Sequence, residues 1–523
     1  MMQDFPWLTL LIAAPAVGAL VVWLVPGPVR RYARQVALVW SLVVLVLAVI
    51  MAAGFKPSDG VQFTEKHTWI EAFGINYEVG VNGIGLTLIL LSVLLVPLVL
   101  LAAWREQETP SRSANYAALV LWLESFMVAI FAARDVFLFY IIFEAMLIPV
   151  YFMIGSFGSG EKRRKAALKF LLYSLAGGLI MLAGVIAVWT QVGVGYSVDA
   201  LTGANWGSAT AERLIFLSFF IAFAIKAPMW PVHTWLPDAA EAAKPGTSVL
   251  LVGVLDKVGT FGMLTLCLPL FPNAASWAAP WIVVLAVVSI IWGALMALAQ
   301  TDILRMIAYT SVSHFGFIVL GVFAFTQMAA VGSSFYMVNH GLSTGGLFLL
   351  AGFLIARRGT QDLTKMGPGL QRTVPLLAGT FLVVGLSAVA LPGLSTFVSE
   401  FQVLVGSFGA SATRAAAVVA ALGVVLAALY ILLAYQKIFT GPVRDDLAST
   451  KDLSGRELWV IGPLIALMLV FGFYPKPAVD VIAPGVEQSI SQQVSHEGCQ
   501  PEAEQCTAAA ALFGEAGQKG GGS

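Results

Sequence analysis

The chain has 523 residues, of which 59% are hydrophobic and only 11% are charged. Water-soluble domains are about 45–50% apolar and about 25% charged, so this composition excludes an ordinary soluble protein. The 29 basic and 29 acidic residues balance, and the chain therefore lacks the overall charge that would attract nucleic acid. Apolar windows of roughly 20 residues, the length of a transmembrane helix, recur along it. We therefore expect an integral membrane protein.

The apolar runs, read against Gly, Pro and charged residues, predict an all-α membrane protein with about 14 transmembrane helices. The first run, from Trp7 to Val25, is too long for the core of a signal peptide and has no basic leader, so we interpret it as a retained helix. The predicted helices cover residues 5–25, 34–54, 83–104, 114–133, 136–157, 166–192, 212–229, 246–270, 277–299, 303–325, 329–356, 374–408, 414–440 and 457–479.

Lys and Arg are concentrated in alternate loops, which gives the predicted bundle an orientation. Such loops stay cytoplasmic, and the run Lys162–Lys165 is a dense example. With an even number of helices, both termini lie on the outer side, together with the polar segment 55–80 and the polar C-terminal tail. Cys499 and Cys506 in that tail are equally compatible with a disulfide and with two free thiols.

The sequence has no cysteine spacing typical of zinc or iron–sulfur sites and no glycine-rich phosphate-binding motif. We therefore expect no cofactor and no metal on this chain. Energy for transport would then come from an ion gradient or from a partner protein.

Several ionisable residues lie inside predicted membrane helices, where each costs about 2.5–3.5 kcal/mol unless it is paired or hydrated. Glu144 lies within an apolar helix, and Pro149 frees a backbone carbonyl near the same depth. We interpret Glu144 as functional, the alternative being a structural ion pair or a protonated acid. Glu124, on the preceding helix, is either a member of the same path or the partner of a lysine.

Lys226 is followed closely by Pro228 and Pro231, which interrupt its helix at membrane depth. Broken membrane helices place helix ends and water next to a charge. Burial disfavours a charged lysine and a nearby carboxylate favours it, so movement of Glu144 would switch Lys226 between holding and releasing a proton.

Three further residues belong to the cytoplasmic ends of these helices. His233 and Asp238 follow Lys226 and serve either in proton entry or in capping and packing. Lys169 is predicted to extend its side chain into solvent unless a carboxylate lies opposite.

Lys257 lies in the middle of the next helix, beside Asp256. Neighbouring helix positions point about 100° apart, so these two side chains need not face the same path. His314 and His340 follow in consecutive apolar helices, and we expect a proton relay rather than a packing role for them. A metal site is the weaker alternative, because no carboxylate or cysteine stands near either histidine in the sequence.

Glu400 lies on a second interrupted helix, broken by Pro392 and Gly393, and so repeats the arrangement at Lys226. Two such helices at corresponding places indicate paired five-helix repeats, which would enclose one half-path each if they are inverted. The predicted divisions are N-terminal helices in 1–110, a first repeat in 111–272, a second repeat in 273–441, a last helix in 442–480 and a polar tail in 481–523.

The strings IIFEAMLIPVYFMIG, FFIAFAIKAPMWPVHTWLPDAAEAAKPGTSVLL, GVLDKVGTFGML and ALPGLSTFVSEF resemble the antiporter-like membrane subunits of respiratory NADH:quinone oxidoreductase, complex I. The resemblance covers nearly all of residues 80–440. Among these subunits the M type is most similar, because L and N relatives usually carry a lysine where Glu400 stands. The L type also adds a long lateral helix, for which the tail here is too short.

The resemblance implies a proton-translocating subunit of an enzyme complex, with no redox site of its own. It implies a path in which Glu144 pairs with Lys226, Lys257 forms a bridge, His314 and His340 are polar links and Glu400 is the exit-side acid. Asp256 departs from the apolar residue expected beside the bridging lysine, which leaves the charge balance of the bridge open.

The resemblance also implies partners and a location. FMN, iron–sulfur clusters and the quinone site would belong to other complex I subunits, and the L and N subunits would be the neighbours in lipid of a bacterial inner membrane. Alternatives are a subunit of a sodium/proton antiporter or membrane-bound hydrogenase, or a purely structural membrane subunit. The coupled ion, proton or sodium, stays open at this point.

Overall fold

The computed structural model describes residues 5–24, 26–105 and 109–496. Twelve helices in these ranges are long and apolar enough to cross a membrane, in agreement with the prediction of a helical membrane protein. They are Trp7–Leu24, Arg30–Ala53, Gly83–Ala102, Pro110–Ala132, Val136–Gly155, Arg163–Val192, Pro245–Leu270, Pro272–Leu298, Ile303–Val322, Gln327–Arg358, Arg414–Phe439 and Gly455–Phe473.

Several of these spans are interrupted, so the α-helices are numbered by their continuous segments. The first half contains α1 Trp7–Leu24, α2 Ala33–Ala53, α3 Gly83–Ala102, α4 Pro110–Ala132, α5 Val136–Ala145, α6 Leu147–Gly155, α7 Arg163–Val192, α8 Val198–Leu201, α9 Ala209–Lys226, α10 Trp235–Ala242, α11 Pro245–Leu250, α12 Lys257–Gly262 and α13 Leu268–Leu270. The second half contains α14 Pro272–Leu298, α15 Ile303–Val322, α16 Gln327–Arg358, α17 Leu363–Met366, α18 Leu370–Thr373, α19 Pro375–Ala388, α20 Ser395–Gly409, α21 Arg414–Phe439, α22 Gly455–Phe473 and α23 Lys476–His496.

The predicted helices at 212–229 and 374–408 are broken in the structure. The first ends with α9 at Lys226, and helix resumes only with α10 at Trp235; the second splits into α19 and α20. Proline has no backbone N–H to donate and clashes with the preceding turn, so helical hydrogen bonding stops at these places.

The polar segment between α2 and α3 departs from the all-α prediction because it contains a β-hairpin. Strands β1 Gln62–Ile70 and β2 Ile75–Val81 pair antiparallel, with Lys66 opposite Glu78 and His67 opposite Tyr77. Phe, Thr, Trp, Ile and Tyr in these runs favour strands, whereas hydropathy identified only a polar loop. Membrane-scale hydropathy carries no information on hairpin formation outside the bilayer.

The hairpin stabilises the start of α1. Glu65 on β1 accepts hydrogen bonds from the backbone N–H groups of Leu8, at 2.9 Å, and Thr9, at 3.2 Å. These donors belong to the first turn of a helix, which has no intrahelical partners for them, and a carboxylate there also interacts favourably with the helix dipole.

The described part of the C-terminal tail forms α23, which runs through the predicted boundary at residue 480. Its buried residues Ile482, Val486 and Ile490 recur every four positions and form one apolar face. Gln493 donates from its side chain to the carbonyl of Leu268 at 2.6 Å. The predicted polar tail therefore begins with a helix packed on the bundle; Cys499 and Cys506 lie outside the described residues.

The centre of the bundle consists of α16 and the interrupted helix α11–α13. Both are almost entirely buried, and α16 packs against α3, α15 and α20. Two π-helical turns, Leu251–Leu255 and Met263–Cys267, interrupt α11–α13. Such turns shift hydrogen bonding by one residue and occur frequently at functional sites.

Candidate proton path

Glu144 lies at the interruption between α5 and α6. Pro149 cannot donate to the carbonyl of Ala145, four residues before it, and α5 ends there. The Glu144 carboxylate rests against α7 at Gly178, where an added Cβ would lie 1.7 Å from Glu144 Oε1. Any larger residue at position 178 would displace the Glu144 carboxylate from its observed position.

Lys226 is the last residue of α9 and is 1% exposed. Helix carbonyls at this end favour a cation. Its Nζ has no hydrogen-bond partner and lies 4.5 Å from the centroid of the Phe143 ring. Glu144 and Asp256 both act on it electrostatically, but neither touches it. The lysine is therefore held near two carboxylates without direct ion-pair contact.

Asp256 follows the first π-helical turn and is fully buried. Neither of its carboxylate oxygens has a hydrogen-bond partner, and its charge acts on both Lys226 and Lys257. A buried carboxylate without hydrogen bonds is costly, so this position is unfavourable for packing alone. Asp256 is thus close to both buried lysines, although it is adjacent in sequence to only one.

Lys257 connects α12 to α16. Its Nζ donates to the carbonyl of Val252 in the π-helical turn and lies 2.7 Å from Nδ1 of His340. When Lys257 is protonated it can only donate, so Nδ1 of His340 then accepts and a neutral ring carries its proton on Nε2. The predicted bridge and the second histidine are therefore in direct contact.

His340 and His314 lie against each other, with ring centroids 5.3 Å apart and ring planes at 87°. Nε2 of His340 and Nδ1 of His314 have no hydrogen-bond partner. Both rings are buried, and these nitrogens are the free hydrogen-bonding atoms of the two side chains. The structure thus brings together the histidines that lie on consecutive long helices.

Two tyrosines lie between His314 and Glu400. The Tyr430 hydroxyl is 3.3 Å from Nε2 of His314, and the Tyr336 hydroxyl donates to Oε2 of Glu400 at 2.6 Å. Glu400 is only 4% exposed. The series of polar groups therefore continues from α15 and α16 to α20.

The start of α20 is fixed by Asn339 on α16. Its side-chain amide donates to the Ser395 carbonyl at 2.9 Å and to the Ser399 hydroxyl at 3.2 Å. The Ser395 carbonyl belongs to the first residue after the helix break. Asn339 thus positions the helix segment that carries Glu400.

Glu124 is not brought into this series. It is fully buried on α4, its carboxylate has no hydrogen-bond partner, and no charged group among the described residues acts on it. The alternative that Glu124 is the partner of a lysine was therefore wrong.

Asp238 and Lys169 form an ion pair at one end of the bundle. Asp238 accepts hydrogen bonds from Lys169 and from Arg305, both at 2.6 Å, and Arg305 also bonds to Glu241 at 2.8 Å. The prediction for Lys169 allowed one exception, a carboxylate opposite its side chain, and Asp238 is that carboxylate, so Lys169 is ion-paired rather than extended into solvent. His233 is buried, and its ring centroid lies 6.1 Å from that of Tyr309.

These charged groups line a polar cavity of about 1100 Å³, together with Asp302. Burial alone would raise the pKa of Asp238, but hydrogen bonds from Lys169 and Arg305 hold that pKa below its ordinary value. Burial raises the pKa of Asp302 to about 6, although a backbone hydrogen bond from Arg305 opposes the shift. The cavity therefore combines a firmly ionised aspartate with one that titrates near neutral pH.

Within the described ranges, no group of three or more His, Cys, Asp or Glu side chains is placed to hold a metal ion. Cys267 is buried as a free thiol. A metal ion at His314 and His340 would therefore lack a third ligand of these types among the described residues.

The sequence reasoning missed Tyr336, Tyr430 and Asn339. Tyr336 precedes His340 by four residues and so shares its helix face, a signal that was available in the sequence. Tyr430 lies in an apolar stretch of α21 and gives no comparable local signal. Its place beside His314 depends on how α21 packs.

Comparisons with known proteins give a consistent result. The sequence profile of a family described as "NADH:quinone oxidoreductase/Mrp antiporter, TM" matches residues 133–428, more than half of the chain. The chain is also similar to the NADH-quinone oxidoreductase subunit M of Mycobacterium tuberculosis. The two are 46% identical over 533 residues, which cover 95% of this chain and 96% of the relative.

Solved structures with a similar fold include a chain of respiratory complex I from Thermus thermophilus with bound NADH. It matches with a TM-score of 0.85 and 31% identity, covering 93% of this chain and 99% of that one. A chain of the Mrp complex from Dietzia sp. DQ12-45-1b matches with a TM-score of 0.82, 21% identity and the same two coverages. At that identity, the second match concerns the fold alone.

Proposed function

The chain belongs to the family of NADH-quinone oxidoreductase M subunits, and from this premise we propose that it translocates protons as the M subunit of a respiratory NADH:quinone oxidoreductase, complex I. One observation carries the proposal. Ionisable side chains follow one another across the bundle, from the half-buried Glu144 and the buried Lys226 to the buried Glu400, and each buried one would be costly in a protein that only needed to fold.

Glu144 and Lys226 are proposed as the switch of the path. They lie near each other without contact, at the ends of two interrupted helices. A small approach of the carboxylate would strengthen its attraction for the protonated lysine, and a retreat would favour release of the proton.

Asp256 is proposed to connect the switch to the bridge. Its unpartnered carboxylate interacts electrostatically with both Lys226 and Lys257. We propose that it accepts a proton from one lysine and passes it to the other. Lys257, His340 and His314 then continue the path toward Glu400. His233 and Asp238 are proposed at the entrance, and of the two Asp238 lines the charged cavity.

The energy would come from partner subunits. FMN, iron–sulfur clusters and the quinone site are assigned to other subunits of the complex, with the L and N subunits as the nearest neighbours. This chain would have no redox site of its own and would act as a moving part of the translocase.

The finer topology is also a proposal. We assign 14 transmembrane helices, by adding α9 and the pair α19–α20 to the twelve long apolar helices of the described residues. The repeats would cover 111–272 and 273–441 in inverted orientation, flanked by 1–110 and 442–480, with the tail from 481 onward. Both termini would face the periplasm of a bacterial inner membrane.

A second candidate is a subunit of a sodium/proton antiporter, favoured by the fold shared with the Mrp complex chain. Purification in mild detergent distinguishes the two. Co-purification of NADH-oxidising subunits with bound FMN supports complex I, whereas a stable assembly without NADH oxidation would overturn that assignment.

The proposed path is tested by replacing its switch. In the assembled complex in membrane vesicles, Glu144→Gln and Lys226→Ala should each lower proton pumping by about tenfold or more, which corresponds to about 1.4 kcal/mol in the barrier. The measurement is acidification of the vesicle interior during NADH oxidation, with subunit content checked on native gels.

Glu124→Gln is the control, because this membrane-helix glutamate is even more deeply buried than Glu144 but lies apart from other charges. We expect it to pump like the unmodified complex. Unchanged pumping in both switch variants would show that the buried charges do not form the path.

A further inference from the structure

The proposed path has a gap between His314 and Glu400, and two phenol groups occupy it. Neither His314 nor Glu400 is within hydrogen-bond distance of the other among the described contacts. Instead Tyr430 lies 3.3 Å from Nε2 of His314, and Tyr336 lies 2.6 Å from Oε2 of Glu400. A tyrosine hydroxyl is both donor and acceptor, so it can receive a proton at its oxygen while giving up its own.

Both tyrosines are shielded from solvent. Tyr336 is fully buried and Tyr430 is 2% exposed, so bulk water does not compete for their hydroxyls. The Tyr336 ring also lies against His314, with centroids 5.9 Å apart. Glu400 acts electrostatically on both phenols, and the two phenols act on each other. The four side chains therefore form one compact cluster.

Both tyrosines lie on helices that also carry, or pack against, other residues of the proposed path. Tyr336 is on α16, one turn before His340 and close to Asn339, which fixes the start of α20. Tyr430 is on α21, which packs against α14, α15 and α20. Buried hydroxyls in this position are not needed to fill space, because phenylalanine has nearly the same volume.

We propose that Tyr430 and Tyr336 are the proton-transfer link between His314 and Glu400, an inference that rests on the proposed function. For each proton, the Tyr430 hydroxyl accepts one from Nε2 of His314. No hydrogen bond joins the two phenol hydroxyls among the described contacts, so a side-chain movement must first bring them together before Tyr430 donates its own proton to the Tyr336 hydroxyl. Tyr336 in turn donates its proton to the Glu400 carboxylate. Each phenol is neutral before and after, one O–H bond forms for each that breaks, and rotation of the hydroxyls restores the starting arrangement.

The test removes the hydroxyls and keeps the rings. In the assembled complex, Tyr336→Phe and Tyr430→Phe should each lower proton pumping by about tenfold at normal subunit content, the effect of a barrier increase of about 1.4 kcal/mol. Tyr116→Phe is the matched control, because Tyr116 is 2% exposed and its hydroxyl lies 3.2 Å from Thr247, away from the cluster. It should pump normally.

A double substitution separates transfer from mere support of the fold. If Tyr336 acts through Glu400, then Glu400→Gln and Tyr336→Phe/Glu400→Gln should pump equally slowly, because the second change removes nothing further. A structural role would give additive losses. If Tyr336→Phe pumps normally while Glu400→Gln pumps slowly, the tyrosine link is overturned but the proposed path is not. If Glu400→Gln itself pumps normally, the proposed path is overturned.

The Tyr430 variant keeps the proposal testable if loss of the Tyr336 hydroxyl prevents folding or assembly. Should Tyr336→Phe fail to assemble, Tyr430→Phe decides, since it leaves the hydrogen bond between Tyr336 and Glu400 in place. Assembled Tyr430→Phe with unchanged pumping would then overturn the proposal.

Discussion

The position of the Glu144 carboxylate is set by a single small residue on the neighbouring helix. Gly178 offers no side chain, and Glu144 Oε1 occupies the space that a Cβ would need. The carboxylate is the far end of a flexible side chain, so an added methyl group would displace it rather than separate the helices. Gly178 therefore controls the geometry of the proposed switch without carrying any charge.

Gly178→Ala should leave the complex assembled but lower proton pumping by about threefold or more. The reason is that a change of about 1 Å in the separation of two nearby charges within the bundle alters their attraction by an amount on the order of 1 kcal/mol. Pumping and NADH oxidation are measured in vesicles. Gly379→Ala is the control, because a Cβ at Gly379 meets nothing within 4 Å. Equal activity of the two variants would contradict this account of Gly178.

Sequence reasoning could identify single buried charges, because any ionisable residue in a long apolar run is conspicuous. Lys226, Lys257 and Glu400 were found in this way. It could not place Asp256 near Lys226, because their proximity depends on how the helix containing a π-helical turn packs against α9. It also missed Tyr430, whose hydroxyl is inconspicuous in an apolar helix until the packing of α21 is known.

At the level of whole elements, helix breaks caused by proline were predictable and π-helical turns were not. Proline interrupts a helix by local chemistry that any sequence displays. The turns Leu251–Leu255 and Met263–Cys267 contain no proline, so no residue in them marks the interruption. Between the two turns, Gly259 on α12 packs closely against α9: an added Cβ would lie 2.4 Å from the Phe223 carbonyl oxygen and 2.7 Å from the Ala227 nitrogen.

Gly259→Ala should destabilise the complex by about 1–3 kcal/mol, the usual cost of forcing an extra methyl group into a packed interior. The atoms in its way are backbone atoms at the end of α9, so the helix that carries Lys226 must move. Thermal dissociation of the complex in mild detergent measures the loss. Gly462→Ala on α22 is the matched control, because nothing lies within 4 Å of its added Cβ. A Gly259→Ala complex as stable as this control would refute the close-packing argument.

The β-hairpin and α23 were missed for a different reason. Hydropathy distinguishes membrane from non-membrane segments but does not distinguish a loop from a hairpin or an amphipathic helix at the surface. The stripe of Ile482, Val486 and Ile490 was visible in the sequence, yet it is too narrow to raise the mean hydropathy of the tail.

Considered as a whole, the molecule has direct polar contacts between its two halves, at two depths. In the buried centre, Lys257 of the proposed first repeat contacts His340 of the second. At one end, Asp238 of the first repeat pairs with Arg305 of the second, beside the polar cavity. Movements in one half would therefore be transmitted to the other through charged groups rather than through apolar packing alone.

Asp302 makes the stability of this junction dependent on pH. Its pKa is raised to about 6 by burial, from an ordinary value of about 3.9, so the folded protein binds this proton more tightly than the unfolded chain. Ionised Asp302 thus destabilises the fold above pH 6, and the penalty disappears as the pH falls from about 6 toward 4. A shift of about two pKa units corresponds to at most about 3 kcal/mol.

The unmodified complex should therefore become more stable as the pH is lowered from 7.5 to 5. Asp302→Asn should abolish this gain. Asparagine retains a side-chain oxygen that can accept from the Arg305 N–H at the start of α15, so the helix cap is preserved. The midpoint of thermal dissociation in mild detergent is measured at both pH values. Asp362→Asn, at a partly exposed carboxylate with a lowered pKa, should keep the gain because that group stays ionised throughout this window. An equal pH-dependent gain in Asp302→Asn and in the unmodified complex would rule out Asp302 as its source.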